Sequence, residues 1–231
     1  MTVAAILVAA GRGVRMGAGR PKAFLRLGGR TILERALGAF TSHPGIGRIV
    51  VAVADPEEAG GLLGPAAAGA VLVRGGEERQ DSVRLALEAI GPTEADIILV
   101  HDAARPLVSR ALIDAVIAAA AEHGAAVPLV PPADTVKRLA SDGSVEATMP
   151  RETLRLALTP QGFRSAILRE AYARAARDGF TGTDDAALVE RSGRRVAAVP
   201  GSPGNLKITT PLDLVLAEAL LPGRAGGEEH G

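Results

Sequence analysis

Several stretches of the sequence place charge or hydroxyl groups where a phosphorylated ligand could be handled. The first is Ala9-Ala10-Gly11-Arg12-Gly13-Val14-Arg15-Met16-Gly17-Ala18-Gly19-Arg20-Pro21-Lys22. Glycines after an apolar run let backbone N–H groups approach phosphate oxygens, and Arg15 and Lys22 supply matching positive charge. A basic surface loop with no ligand has the same composition. Met16 stands where a dinucleotide fingerprint needs its third glycine, and no Gly-Lys-Ser/Thr closes the loop, which argues against a dehydrogenase and a P-loop hydrolase. Of the 26 basic residues only Lys22, Lys137 and Lys207 are lysines. Lys207 lies in Asn205-Leu206-Lys207-Ile208-Thr209, just before the last helical pattern.

Val100-His101-Asp102-Ala103-Ala104-Arg105-Pro106 leaves a buried strand at its carboxyl end, where α/β sheets place their ligands. Asp102 and Arg105 there suit the flanks of a polar ligand, or a plain loop ion pair. His101 reads as a packed core histidine, and no partner completes a nucleophilic triad. In Gly75-Gly76-Glu77-Glu78-Arg79-Gln80-Asp81-Ser82-Val83 the two glycines allow backbone to approach a planar base, and Ser82 could bond its edge. Glu77–Asp81 fits helix capping as well. Thr159-Pro160-Gln161-Gly162-Phe163 and Thr181-Gly182-Thr183-Asp184-Asp185 read as short polar turns. Their hydroxyls suit a polyol or a phosphate, though Thr183 and Asp184 also suit a helix start.

These segments need a scaffold, and the hydrophobic pattern supplies one. Apolar runs at Val3–Ala9, Arg48–Val53, Ala70–Val73, Ile97–Val100 and Ala125–Val130 predict strands. Helical patterns fall at Thr31–Phe40, where Thr31 and Glu34 have capping-box spacing, and at Glu78–Ile90 and Ser109–Glu122. The βαβα order predicts an α/β fold: a Rossmann-like, mostly parallel sheet with helices on both faces and right-handed crossovers. After Pro131-Pro132, Asp134–Leu139 and Val145–Met149 flank a four-residue loop and predict a β-hairpin. With few large apolar residues on either side, it is expected to project as an arm, about residues 133–153. Helices at Arg164–Arg177 and Asp184–Ser192, a strand at Arg195–Val199 and a helix from Pro211 to Leu221 complete a single domain over residues 1–222. A solvated tail, 223–231, follows.

Composition narrows the function. The 231 residues are 47% hydrophobic, 23% charged and 2% aromatic, so a core can form from Ala, Val, Leu and Ile. Twenty-six basic residues balance 26 acidic ones, leaving nothing global to attract nucleic acid or an anionic membrane. The absence of cysteine excludes a disulfide framework, a thiol nucleophile and a thiolate metal site. No apolar run approaches the ~18 residues of a membrane span, and the N-terminus lacks the basic start of a signal peptide. A cytoplasmic protein with small-molecule partners is expected.

Taken in order, Ala-Ala-Gly-x-Gly-x-Arg-Met, Pro-Lys, Gly-Gly-x-x-Arg-x-x-Ser-Val, His-Asp-Ala-Ala-Arg-Pro, Asp-Thr-x-Lys, Thr-Pro-Gln-x-Phe, Thr-Asp-Asp and Lys-Ile-Thr resemble the 2-C-methyl-D-erythritol 4-phosphate cytidylyltransferases, from Ala9 to about Leu221. The resemblance implies a nucleotidyltransferase that converts CTP and methylerythritol phosphate to a CDP-alcohol and pyrophosphate, with Mg²⁺ held mainly by the CTP phosphates and no protein metal site. By motif, Arg15 and Lys22 would act on the α-phosphate, and Lys207 and Arg151 on the sugar phosphate. Val8, Ala9, Ala10 and Gly11, with Gly76, Glu77, Ser82 and Ala103, would hold the nucleotide. Asp102, Arg105, Thr135, Thr159 and Thr183 would line the acceptor pocket. The family's arm swaps across a homodimer, so Thr135 and Arg151 would serve the neighbouring subunit.

Glu77, Ala133 and Arg155 depart from the family's usual Asp, Arg and aromatic residue, which bears on the fit of the base and the packing of the arm. Relatives fused to the next pathway enzyme exist, but only a short tail follows Leu221, so one activity is expected. Two rival readings are transfer to another polyol phosphate, such as ribitol 5-phosphate, and a non-catalytic nucleotide-binding homologue.

Overall fold

The computed structural model describes residues 1–11 and 21–221. Arg15 and the proposed tail therefore lie outside the described residues. The chain opens with β1 (Val3–Val8), whose residues are apolar on both faces, as a central parallel strand requires. A short turn at Lys22–Phe24 leads to the small hairpin β2 (Arg26–Leu27) and β3 (Arg30–Thr31), then α1 (Ile32–Thr41). The capping box is present: the Thr31 hydroxyl accepts from the Glu34 N–H at 3.0 Å, and the Glu34 carboxylate accepts from the Thr31 N–H.

Next come β4 (Ile46–Val53), α2 (Pro56–Leu63), β5 (Ala70–Arg74), α3 (Arg79–Ile90), β6 (Ile97–Asp102), α4 (Arg110–His123) and β7 (Ala125–Val130). The sequence pattern did not mark α2. Its helix is short, with three glycines at and beside its C-terminal half, but Asp55 caps it by accepting from the Glu57 and Glu58 N–H groups. After the separate hairpin β8 (Lys137–Leu139) and β9 (Val145–Thr148) come β10 (Leu156–Ala157), β11 (Gln161–Arg164), α5 (Ser165–Asp178), α6 (Asp185–Arg191), β12 (Ala197–Pro200) and α7 (Pro211–Ala219).

The main sheet runs β10-β7-β11-β6-β1-β4-β5, and β12, off this path, pairs with β7 in parallel. Its β6-β1-β4-β5 half is parallel. On the other side, β11 enters between β6 and β7, antiparallel to both. This corrects the reading of Thr159–Phe163 as a polar turn: Gln161 and Phe163 are buried in mid-sheet. Gly162 hides the strand signal because it has no side chain to alternate. A Cβ there would sit 2.7 Å from Val116 Cγ1 of α4.

The sheet buries both faces. Val3, Ala5 and Leu7 of β1 pack with α1 and α4, while Ala4 and Ile6 pack with α3, α5 and α6. A third cluster, Leu27, Ile32, Ile208, Ala217 and Leu221, ties α7 and the segment before it to the β2–α1 region. The predicted hairpin forms outside this core as its own two-stranded sheet, with Leu139 and Val145 about 60% exposed. Among the described residues no helix is long and apolar enough to cross a membrane.

Candidate active site

An open cleft lies at the carboxyl ends of β1 and β6, beside the loop between β5 and α3. Backbone bonds extend the sheet register into its floor: Ala9 N–H donates to Ala52, Ala103 N–H to Val8, and Gly75 N–H to Val53, at 2.8–3.1 Å. A Cβ on Gly75 would meet the Ala10 Cβ at 2.4 Å, so glycine permits this loop to close on the end of β1. All eight residues assigned to the nucleotide line the cleft: Val8 at the end of β1 with Ala9, Ala10 and Gly11 beyond it, Gly76 and Glu77 from the β5–α3 turn, Ser82 in the first turn of α3, and Ala103 after β6. The Ser82 hydroxyl is used within the loop. It donates to the Glu78 carbonyl and accepts from the Gly76 N–H, both at 3.1 Å, and so shapes the glycine turn.

Lys22 and Lys207 line the same cleft, although 184 residues separate them in sequence. Lys207 Nζ stands 2.7 Å from Asp102 Oδ2. Three bonds fix its segment beside the end of β6. Ile208 N–H donates to Ala104, the Arg105 guanidinium donates to the Asn205 carbonyl, and the Asn205 amide donates to the Thr159 carbonyl.

Asp102 is held harder than sequence reasoning anticipated. Arg79 Nε lies 3.0 Å from its Oδ1, and Arg79 Nη2 lies 2.8 Å from Asp185 Oδ2. Burial opposes the Asp102 charge, but Arg79 and Lys207 outweigh it and keep the carboxyl well below the usual carboxylate range. The same two acids raise Arg79 above its ordinary value despite its burial. Arg79 stands in the Gly-Gly-x-x-Arg motif, but helix capping accounted for that stretch, and nothing local pointed to Asp102 or Asp185.

His101 is a core residue, as expected. Burial pushes its pKa down to about 4, so the ring is neutral. Its Nε2–H donates to the Arg105 carbonyl, which leaves Nδ1 as an acceptor for the Thr159 hydroxyl. That hydroxyl in turn accepts from the Asp102 N–H at 3.1 Å.

The acceptor-side residues divide. Asp102 lines the cleft; Thr159 and Arg105 are buried behind it in the network just described. Thr183 is exposed on the loop before α6, where Asp184 caps the helix by accepting from Ala187. Gln80 ties this loop to α3, accepting from Gly182 N–H and donating to the Phe180 carbonyl. Thr135 and Arg151 are not brought to the cleft: both are exposed and line a separate depression on the arm.

Comparison with known proteins identifies a family. The family model described as "IspD: 2-C-methyl-D-erythritol 4-phosphate cytidylyltransferase" matches residues 3–223. A 2-C-methyl-D-erythritol 4-phosphate cytidylyltransferase of Syntrophotalea carbinolica is 46% identical over 233 residues, covering 96% of this chain and 97% of the relative. A bifunctional enzyme IspD/IspF of Bradyrhizobium sp. strain BTAi1 is 47% identical over 227 residues, but this chain spans 57% of its length. The crystal structure of the Thermus thermophilus cytidylyltransferase superposes with a TM-score of 0.79 at 45% identity, covering 95% of this chain and 98% of that one.

Proposed function

The chain belongs to the 2-C-methyl-D-erythritol 4-phosphate cytidylyltransferase family, and from that premise we propose that it transfers the cytidylyl group of CTP to 2-C-methyl-D-erythritol 4-phosphate. The observation that carries this reading is the meeting of Lys22 and Lys207 in one cleft with the glycine loop and the end of β1. In the proposed step an oxygen of the acceptor phosphate attacks the CTP α-phosphorus in line. A new P–O bond forms as the bond to the bridging oxygen breaks, and pyrophosphate leaves with that electron pair. The nucleophile is already ionised, so no general base is required, consistent with a histidine buried in the core. Such transfer depends on positioning and charge stabilisation.

Lys22, with Arg15 outside the described residues, would stabilise charge growing on the α-phosphate. Lys207 would hold the acceptor phosphate, while backbone at Ala10, Gly76 and Ala103 would receive the nucleoside. Mg²⁺, when bound, would offset the triphosphate charge. Asp102 has both oxygens engaged by Arg79 and Lys207, and the described residues contain no cluster of three or more His, Asp or Glu suited to a metal. In this reading Mg²⁺ is a companion of the CTP phosphates.

The arm fits the same reading. Its exposed Leu139 and Val145, and the placement of Thr135 and Arg151 in a depression separate from the chain's own cleft, favour a homodimer in which each arm completes the neighbour's acceptor pocket. Pyrophosphate release from CTP and Mg²⁺, with and without methylerythritol phosphate, tests the proposal. Release that requires this acceptor supports it; equal release with ribitol 5-phosphate reassigns the acceptor, and tight CTP binding with no release overturns catalysis.

A further inference from the structure

The step above leaves one cation of the cleft without a task. Arg79 opens α3 directly beyond the glycine turn and grips two carboxylates at once, Asp102 on the cleft side and Asp185 on the inner side. Asp185 is fully buried and accepts the Tyr172 hydroxyl at 2.6 Å. Asp102 gives its second oxygen to Lys207. Lys207, Asp102, Arg79 and Asp185 thus form a row of alternating charge running from the half-exposed ammonium into the interior between α3, α5 and α6. Each inner member is held from two sides, which fixes its geometry more firmly than one pair alone.

The row has a consequence for Lys207. A phosphate entering the cleft competes with Asp102 for the ammonium. While Arg79 neutralises Asp102, Lys207 can turn to the phosphate without stranding a bare carboxylate in a nearly buried position. Without Arg79, Lys207 would be the remaining ion-pair partner of Asp102 among the described residues and would be retained by it. We propose that Arg79, mounted on Asp185, is a positioning residue that holds Asp102 by one oxygen and thereby leaves Lys207 able to exchange that carboxylate for the acceptor phosphate. This rests on reading the cleft as the nucleotidyl-transfer site.

The test has two arms, and the first needs no turnover. The chain has three lysines, so isotopic labelling of their side chains gives a spectrum in which Lys207→Arg identifies the Lys207 signal. In Arg79→Gln the Lys207 signal should move, and inorganic phosphate should perturb it only at concentrations about 10-fold higher than in the wild type, while the Lys137 signal on the arm stays put. A Lys207 signal with the wild-type position and phosphate response overturns the proposal.

The second arm is kinetic. Arg79→Gln should lower kcat/KM for the acceptor by about 10-fold or more with KM for CTP within about 2-fold, and Arg79→Lys should recover part of it. Arg79→Gln combined with Asp102→Asn should be no worse than Asp102→Asn alone, because the competing charge is gone; additive losses overturn the proposal. If Arg79→Gln does not fold, Tyr172→Phe removes a single hydroxyl behind Asp185 and should lower kcat/KM by about 2–5-fold, with an unchanged value overturning the proposal. A wild-type protein that releases no pyrophosphate defeats the functional reading, whereas the lysine spectra still decide the role of Arg79.

Discussion

Lys207 and Arg151 are the two cations that the family resemblance assigns to the acceptor phosphate, and the chain holds them in opposite ways. Lys207 sits on a segment clamped by Ala104, Arg105 and Thr159 and is paired with a carboxylate that is itself braced from the interior. Arg151 is exposed, and its guanidinium reaches back to the Ala133 carbonyl of the arm at 3.4 Å. The cleft floor is thus organised within one chain, while the arm is held by its strand pairing and by exposed bonds among its own residues, such as Arg138 Nε to Glu146 at 2.9 Å. A preorganised cation stabilises charge without reorganising during reaction, whereas one on an exposed hairpin needs a second surface to fix it.

Four experiments break or sharpen this contrast. The largest effect is expected at the proposed α-phosphate cations: Lys22→Ala should lower kcat by at least about 10²-fold with the fold intact, as for loss of one oxyanion donor, and Arg15→Ala should do the same. Steady-state pyrophosphate release with circular dichroism of the same samples checks it, and near-normal kcat removes either residue from the mechanism.

The second addresses the buried network behind the floor. His101 has a folded pKa of about 4, below the ordinary value of 6.5, so the unfolded chain binds the extra proton first as pH falls. Its contribution to stability is complete above pH 6.5 and declines through that window, by about 3 kcal/mol at pH 4. Urea unfolding at pH 7 and at pH 4.5 should show the loss, and His101→Gln should flatten the difference. The depressed Asp102 acts in the same direction at lower pH, losing its stabilisation as acid protonates it below the ordinary carboxylate range.

A smaller effect is expected on the arm. Arg151→Ala should reduce kcat/KM for the acceptor by about 10-fold, the cost of one charged hydrogen bond, and leave CTP binding unchanged. Activity per molecule should also fall on dilution, and light scattering should show dissociation over the same range. The smallest is a stability change: Leu139→Ser with Val145→Ser should shift unfolding of the isolated chain by no more than about 0.5 kcal/mol, since neither residue is buried there. A weakened self-association in that variant would mark the arm as the interface; unaltered association would separate the arm from it.

The contrast also marks how far sequence reasoning carried. Thr31 and Glu34, Ser109, Asp184 and Thr210 cap helices through bonds that span three residues, and such bonds can be read from spacing alone. The parallel half of the sheet was legible for a similar reason, because each strand there contains a run of at least four consecutive apolar residues. By contrast β11 has four residues, one of them glycine, and it belongs to the sheet because β6 and β7 leave a gap that antiparallel pairing fills. The glycine turn, Lys22 and Lys207 were identifiable by residue type. The roles of Thr159 and Arg105 behind the cleft were not, because their partners lie 46 to 100 residues away.

What the sequence determined by itself, then, was the alternation of strands and helices, their caps, the projecting hairpin and the supply of arginine and lysine beside glycine. These follow from propensities and side-chain periods that act within one or two turns of chain. The tertiary structure decided which of those charges meet. Strand order and register brought Asp102, Arg79, Asp185 and Lys207 into one row, and burial made their pairing obligatory, since a carboxylate sealed from water remains charged at neutral pH only against a fixed cation.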